Sequence, residues 1–126
     1  KFNLNKKVYI FRYLSIKKLI ALYDNCHAVI YIPFSGPENL PPLEAMARKK
    51  LLINSTYPGA FEQLKNFPIY IRPHSVKSIH DGMIKSLQKS YKKKIIKSFK
   101  YVRSKLSINY IKEIKRKLLE LNAKNF

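Results

Sequence analysis

The stretch His27-Ala28-Val29-Ile30-Tyr31-Ile32-Pro33, with the loop Phe34-Ser35-Gly36-Pro37-Glu38-Asn39-Leu40, the segment Pro41 to Lys50 and the run Leu51-Leu52-Ile53-Asn54, decides the fold. Both apolar runs are rich in branched residues and lack polar alternation. That is the pattern of strands covered on both faces, as in a parallel sheet. The loop gathers Gly, Pro, Ser and Asn, which fit turns for distinct steric reasons. Pro41-Pro42 then suits the first turn of a helix, where N–H groups have no helical partner, and Leu43 to Lys49 reads as helix with Lys49 and Lys50 at its carboxyl end. Strand, loop, helix, strand is a βαβ unit, and such crossovers are right-handed.

The alternation continues in both directions. Upstream, Val8-Tyr9-Ile10-Phe11 reads as a first, buried strand. Ser15 can cap a helix to about Asn25 that presents Leu19, Ile20 and Tyr23 on one side. Downstream, Ser55-Thr56-Tyr57-Pro58-Gly59 is a second loop, followed by a short helix at 60–65 and a strand at Ile69-Tyr70-Ile71. From Ser75 the pattern is helical, with Val76, Ile79, Met83, Ile84 and Leu87 as one apolar stripe. Ile95, Ile96, Phe99, Val102 and Leu106 predict another helix, and Ile108, Ile111, Ile114, Leu118 and Leu121 a third. The expected fold is α/β: a Rossmann-like parallel sheet with flanking helices, ending in two or three consecutive helices. In such sheets ligands bind beyond the carboxyl ends of the strands. The loops at 36–40 and 55–59 both fall there, each ahead of a helix N-terminus that favours an anion.

At 126 residues the chain is expected to form one domain. Its 26 Lys and Arg against 7 Asp and Glu give a net charge of +19. Lysine dominates over arginine, and Ile, Asn and Tyr are also plentiful, as in the product of an AT-rich coding sequence. Bidentate base recognition favours Arg instead. The aromatic residues are dispersed rather than grouped into a stacking platform, so nucleic acid is a disfavoured partner. Residues 91 to 126 hold 12 of the basic residues against Glu113 and Glu120. These helices are either solvated faces closing the domain or a contact for an anionic membrane surface. A single cysteine, Cys26, excludes an internal disulfide and fits a reducing compartment. No run approaches the roughly 20 apolar residues that span a bilayer, and no signal-peptide pattern opens the sequence. His27, His74 and His80 lack metal-ligand spacing, so no metal is expected.

Phe11-Arg12-Tyr13-Leu14-Ser15, Leu19 to Cys26 and Gly36-Pro37-Glu38-Asn39-Leu40-Pro41-Pro42-Leu43-Glu44-Ala45-Met46-Ala47 together resemble the C-terminal domain of GT-B glycosyltransferases of the family 4, or group 1, type. The similarity runs from about residue 8 to residue 90. It also takes in Ile53 to Ser55 and Pro58-Gly59 with Glu62. The resemblance implies one partial domain over 1–126 that binds the donor of a retaining, hexosyltransferase-like enzyme, with UDP-, GDP- or ADP-sugar as substrate and no cofactor. It also implies a cytoplasmic place at the inner membrane face and a role in bacterial surface glycan synthesis on saccharide or lipid-linked acceptors. Catalytic and acceptor-binding residues would come from a separate N-terminal domain, and the donor-phosphate Arg and Lys from a strand-helix unit ahead of this sequence. This piece alone is then expected to bind donor weakly and to turn over nothing.

Residue by residue, Glu44 matches the second glutamate of the family's Glu-x7-Glu pattern, which accepts hydrogen bonds from the donor ribose. An ionised carboxylate is acceptor-only and suits two vicinal hydroxyls. The first glutamate falls on Gly36, a departure, with Glu38 two residues on as a stand-in at the donor sugar. The backbone N–H groups of Asn39 and Leu40 would face the sugar and diphosphate, while Pro41 and Pro42 have none to give. Glu62 is either a ligand or a helix-stabilising charge in a first turn, and Cys26 reads as core filling. The competing classes are a basic non-catalytic binding module and a decayed fragment of such an enzyme.

Overall fold

The computed structural model describes residues 7–36 and 39–105. Helices and strands alternate as α1 (Ile16–Asn25), β1 (Ala28–Tyr31), α2 (Leu40–Ala47), β2 (Leu51–Ser55), α3 (Ala60–Leu64), β3 (Ile69–Ile71), α4 (Val76–Gln88) and α5 (Lys92–Lys105). The three strands form a parallel sheet in the order β1-β2-β3, with Ala28 opposite Leu51 and Ile53 opposite Ile69. This is the expected Rossmann-like architecture, and it closes on consecutive helices. The expected third one, over 108–121, lies outside the described residues.

All of β2 is buried, because helices cover both sheet faces. Successive strand side chains point to opposite faces. Leu52 therefore meets Ala45, Met46, Leu64 and Val102 from α2, α3 and α5. Leu51 and Ile53 join Ile69 and Ile71 on the other side, against Ile79 of α4 and Ile95 of α5. α5 thus bridges the two layers.

Several elements depart from the sequence expectation. Val8 to Phe11 form no strand, and Tyr9 and Ile10 are 75% and 89% exposed. No described strand lies beside this run, and an extended segment without a ladder partner leaves its N–H and C=O groups to water. For the same reason β1 is half-exposed rather than buried, and His27 ahead of it is exposed. α1 begins where expected, with the Ser15 side chain accepting from the Lys18 N–H, yet none of its residues is buried. It is tied down by polar contacts instead: Arg48 grips Asp24 at 2.8 Å, and Lys50 reaches the Asp24 carbonyl at 2.7 Å. In α4 the stripe Val76, Met83, Ile84 and Leu87 is exposed, Val76 at 83%. The buried positions are Gly82 and Ser86. The helix packs through its small residues because they let its axis come close to the sheet. A Cβ on Gly82 would lie 2.5 Å from the Ile71 Cγ2.

Candidate functional site

The carboxyl ends of β1 and β2 release the two expected loops side by side. Tyr31 and Asn54 are register partners, so their side chains share a face of the sheet. The Tyr31 hydroxyl donates to Asn39 Oδ1 at 2.9 Å. Gln63, on α3, then clamps the main chain of the same residue: its Oε1 accepts from the Asn39 N–H at 3.3 Å and its Nε2 donates to the Asn39 carbonyl at 3.2 Å. The clamp copies a strand pairing with a side-chain amide. It holds the start of α2 in place although the Asn39 side chain makes no cap bond to that helix.

Gly36 completes the arrangement. Its φ of +146° disfavours any side chain, and a Cβ there would sit 2.9 Å from Asn39 Nδ2. The Asn39 carboxamide occupies the space where a residue larger than glycine at position 36 would begin. Asn54 is fully buried, with its Nδ2 donating to the Ser55 carbonyl. Asn39 Nδ2, Asn54 Oδ1 and the Tyr57 hydroxyl are buried without a partner among the described residues. Buried hydrogen-bonding capacity is concentrated at this end of the sheet, whereas most such groups in folded proteins are paired.

The N-terminus of α2 is a poorer anion site than a helix start usually is. Its cap N–H, that of Asn39, is taken by Gln63, and Pro41 and Pro42 have none, which leaves the N–H of Leu40. Glu38 lies outside the described residues.

One turn into α2, Glu44 is exposed and accepts a 2.9 Å hydrogen bond on Oε2 from the Tyr23 hydroxyl of α1. The two line a groove of about 660 Å³ between α1 and α2, walled by Ile16, Leu19 and Ile20, with Arg48 and Lys49 along the α2 side. The apolar side of α1 therefore faces a groove rather than a core. Burial, reinforced by the hydrogen bond to Glu44, pushes the Tyr23 hydroxyl up to about 12, so it stays a donor at any ordinary pH.

The remaining candidates lie apart from Glu44. Glu62 is exposed in the first turn of α3. His27 contacts the Ser86 carbonyl, His74 stacks near Phe34 and His80 sits beside Asp81. Cys26 is half-buried, its thiol donating to the Tyr23 carbonyl. Sequence reasoning missed Tyr23, Tyr31 and Gln63. The signal for Tyr23 was an apolar stripe ending in a residue whose hydroxyl needs a partner. For Gln63 it was an amide next to the carboxylate that attracted notice.

A parallel sheet sandwiched by helices, with two helix-opening loops at its carboxyl edge, defines a Rossmann-like α/β domain. The glycosyl transferases group 1 family matches residues 1–103, and the chain belongs to that family. It is also 33% identical over 75 residues to the O-antigen chain mannosyltransferase RfbU of Salmonella typhimurium. That match covers 60% of this chain and 21% of the relative, so the chain spans about a fifth of its length.

Proposed function

We propose that this chain is the donor-binding part of a retaining glycosyltransferase that moves a hexose from a nucleotide-sugar to a saccharide or lipid-linked acceptor, in bacterial surface glycan synthesis. The observation that carries the reading is Glu44, exposed on α2 at the groove with α1 and steadied by Tyr23. With one lone pair of Oε2 occupied by that hydroxyl, the rest of the carboxylate accepts from the ribose hydroxyls of the donor. Gly36, Asn39 and Leu40 line the site of the sugar and diphosphate, with Asn39 held by Gln63 and Tyr31, and Glu38 is assigned to the donor sugar. The Leu40 N–H supplies the backbone contact to the leaving diphosphate, where electrostatic help lowers the barrier most. The name of the relative makes a mannosyl donor and an O-antigen acceptor the first pair to try. No metal or other cofactor takes part in this scheme.

Calorimetric titration of the chain with UDP-, GDP- and ADP-sugars, at low and high salt, tests it. One nucleotide should bind at both salt concentrations, and Glu44→Ala should weaken it by about 1.5–3 kcal/mol, the usual worth of a charge-assisted hydrogen bond. Tyr23→Phe should weaken it less, since the carboxylate remains. Equal binding of every nucleotide that vanishes with salt would instead report only the chain's positive charge.

A further inference from the structure

Helix α5 shows two unlike sides. Ser98 and Val102 are buried against the body, Phe99 lies under the Lys49 ammonium at 4.7 Å, and Tyr101 packs on Phe67. On the other side, Lys92, Lys93, Lys97, Lys100 and Arg103 are all exposed. At 3.6 residues per turn, these five and Ile96 fall within an arc of about 140°. Ile96 lies inside that arc, 51% exposed. Among the described residues no carboxylate pairs with any of the five, and α5 itself contains none. The other two cations of α5 are engaged on the opposite side, Lys94 donating to the Pro68 carbonyl at 3.2 Å and Lys105 lying over the Tyr101 ring, so these five form the outward set.

We infer that this face of α5 docks on an anionic phospholipid bilayer, the five cations at the headgroups and Ile96 directed into the interface. The chemistry favours lipid over nucleic acid on three counts. Four of the five cations are lysines, point charges suited to a diffuse anionic surface rather than to bidentate contacts. The aromatic residues of the helix, Phe99 and Tyr101, are packed inward, which leaves no platform for stacked bases. An exposed apolar side chain among the lysines adds buried apolar area to electrostatic attraction, the two contributions on which binding at an anionic lipid interface scales. The inference stands whether or not the chain binds a nucleotide-sugar.

The test is cosedimentation of the full chain with vesicles of mixed phosphatidylglycerol and phosphatidylcholine, against phosphatidylcholine alone. The chain should bind the mixed vesicles, and more weakly as salt rises. The triple variant Lys93→Gln, Lys97→Gln, Lys100→Gln should lose about a hundredfold in affinity, roughly fivefold for each cation removed. Lys7→Gln, Lys17→Gln, Lys18→Gln removes the same charge elsewhere and should keep most of the affinity. Equal losses in the two would overturn the inference, since overall charge would then suffice. Circular dichroism shows whether each variant remains folded. The chain has no tryptophan, so Ile96→Trp places a single indole on the face, and its emission should shift to the blue on mixed vesicles. Binding without that shift would place the contact elsewhere on the molecule. An oligonucleotide that displaces the chain from the vesicles would make α5 a nucleic-acid surface and end the lipid reading.

Discussion

Tyr23 and Glu44 belong to different helices and come together through one 2.9 Å hydrogen bond. The glutamate was legible in the sequence because its neighbours Leu40 to Ala47 carry the family pattern. The tyrosine was not, because its position within α1 reads simply as one more apolar contact. Gln63 was hidden for a different reason: its role is to pair with a main chain 24 residues away, and no local pattern encodes that. The alkaline range gives a test at this scale. Burial first, and then Glu44 for Tyr23 and Tyr57 for Tyr70, raise both hydroxyls from 10.0 to about 12. The folded chain therefore holds these protons more tightly than the unfolded one. Their stabilisation is complete below pH 10.0 and is lost as pH climbs towards about 12. Thermal melts should give a flat Tm from neutrality to about pH 9 and a fall above it. Tyr23→Phe should shrink the fall, and an unchanged slope would assign the loss to other groups.

Among the elements, those in the central layer were legible and those at its margins less so. β2 and β3 announced themselves as unbroken apolar runs, and they lie where read. Val8 to Phe11 has the same composition but no ladder. Composition reveals the capacity to pair, not the partner. The stripe on α4 failed differently. Counting large apolar residues points to Val76, Met83, Ile84 and Leu87, whereas close packing on Ile71 demanded the small side, Gly82 and Ser86. Gly82→Ala should therefore cost stability although alanine is the better helix former. The new methyl meets the Ile71 branch at 2.5 Å, and overpacking of this kind typically costs about 1–3 kcal/mol. Urea denaturation measures it. A neutral or stabilised variant would mean that α4 can slide on the sheet at little cost.

For the molecule as a whole, the layered architecture and the family were readable from 126 residues, while the distribution of its charge was not. Counting gave +19 and put 12 of the basic residues in 91–126, but not the side of a helix on which they stand. Folding placed five cations on one side of α5 and left the crevice end of the sheet to uncharged Tyr31, Asn39, Asn54 and Tyr57. Among the described residues the sheet also has β1 at one margin, bonded to β2 alone. A strand margin of that kind is a template: its unused N–H and C=O groups can accept a like strand from another copy of the chain. What opposes such self-recognition is mutual repulsion between highly cationic molecules, a force that reaches only about 10 Å at 0.1 M salt and shrinks further above it. Salt should then act in two opposite senses, loosening the chain from anionic vesicles while driving copies of it together. Light scattering across a salt series reads the second effect, and a scattering signal indifferent to salt would mean that this margin is closed to its own kind by shape rather than by charge.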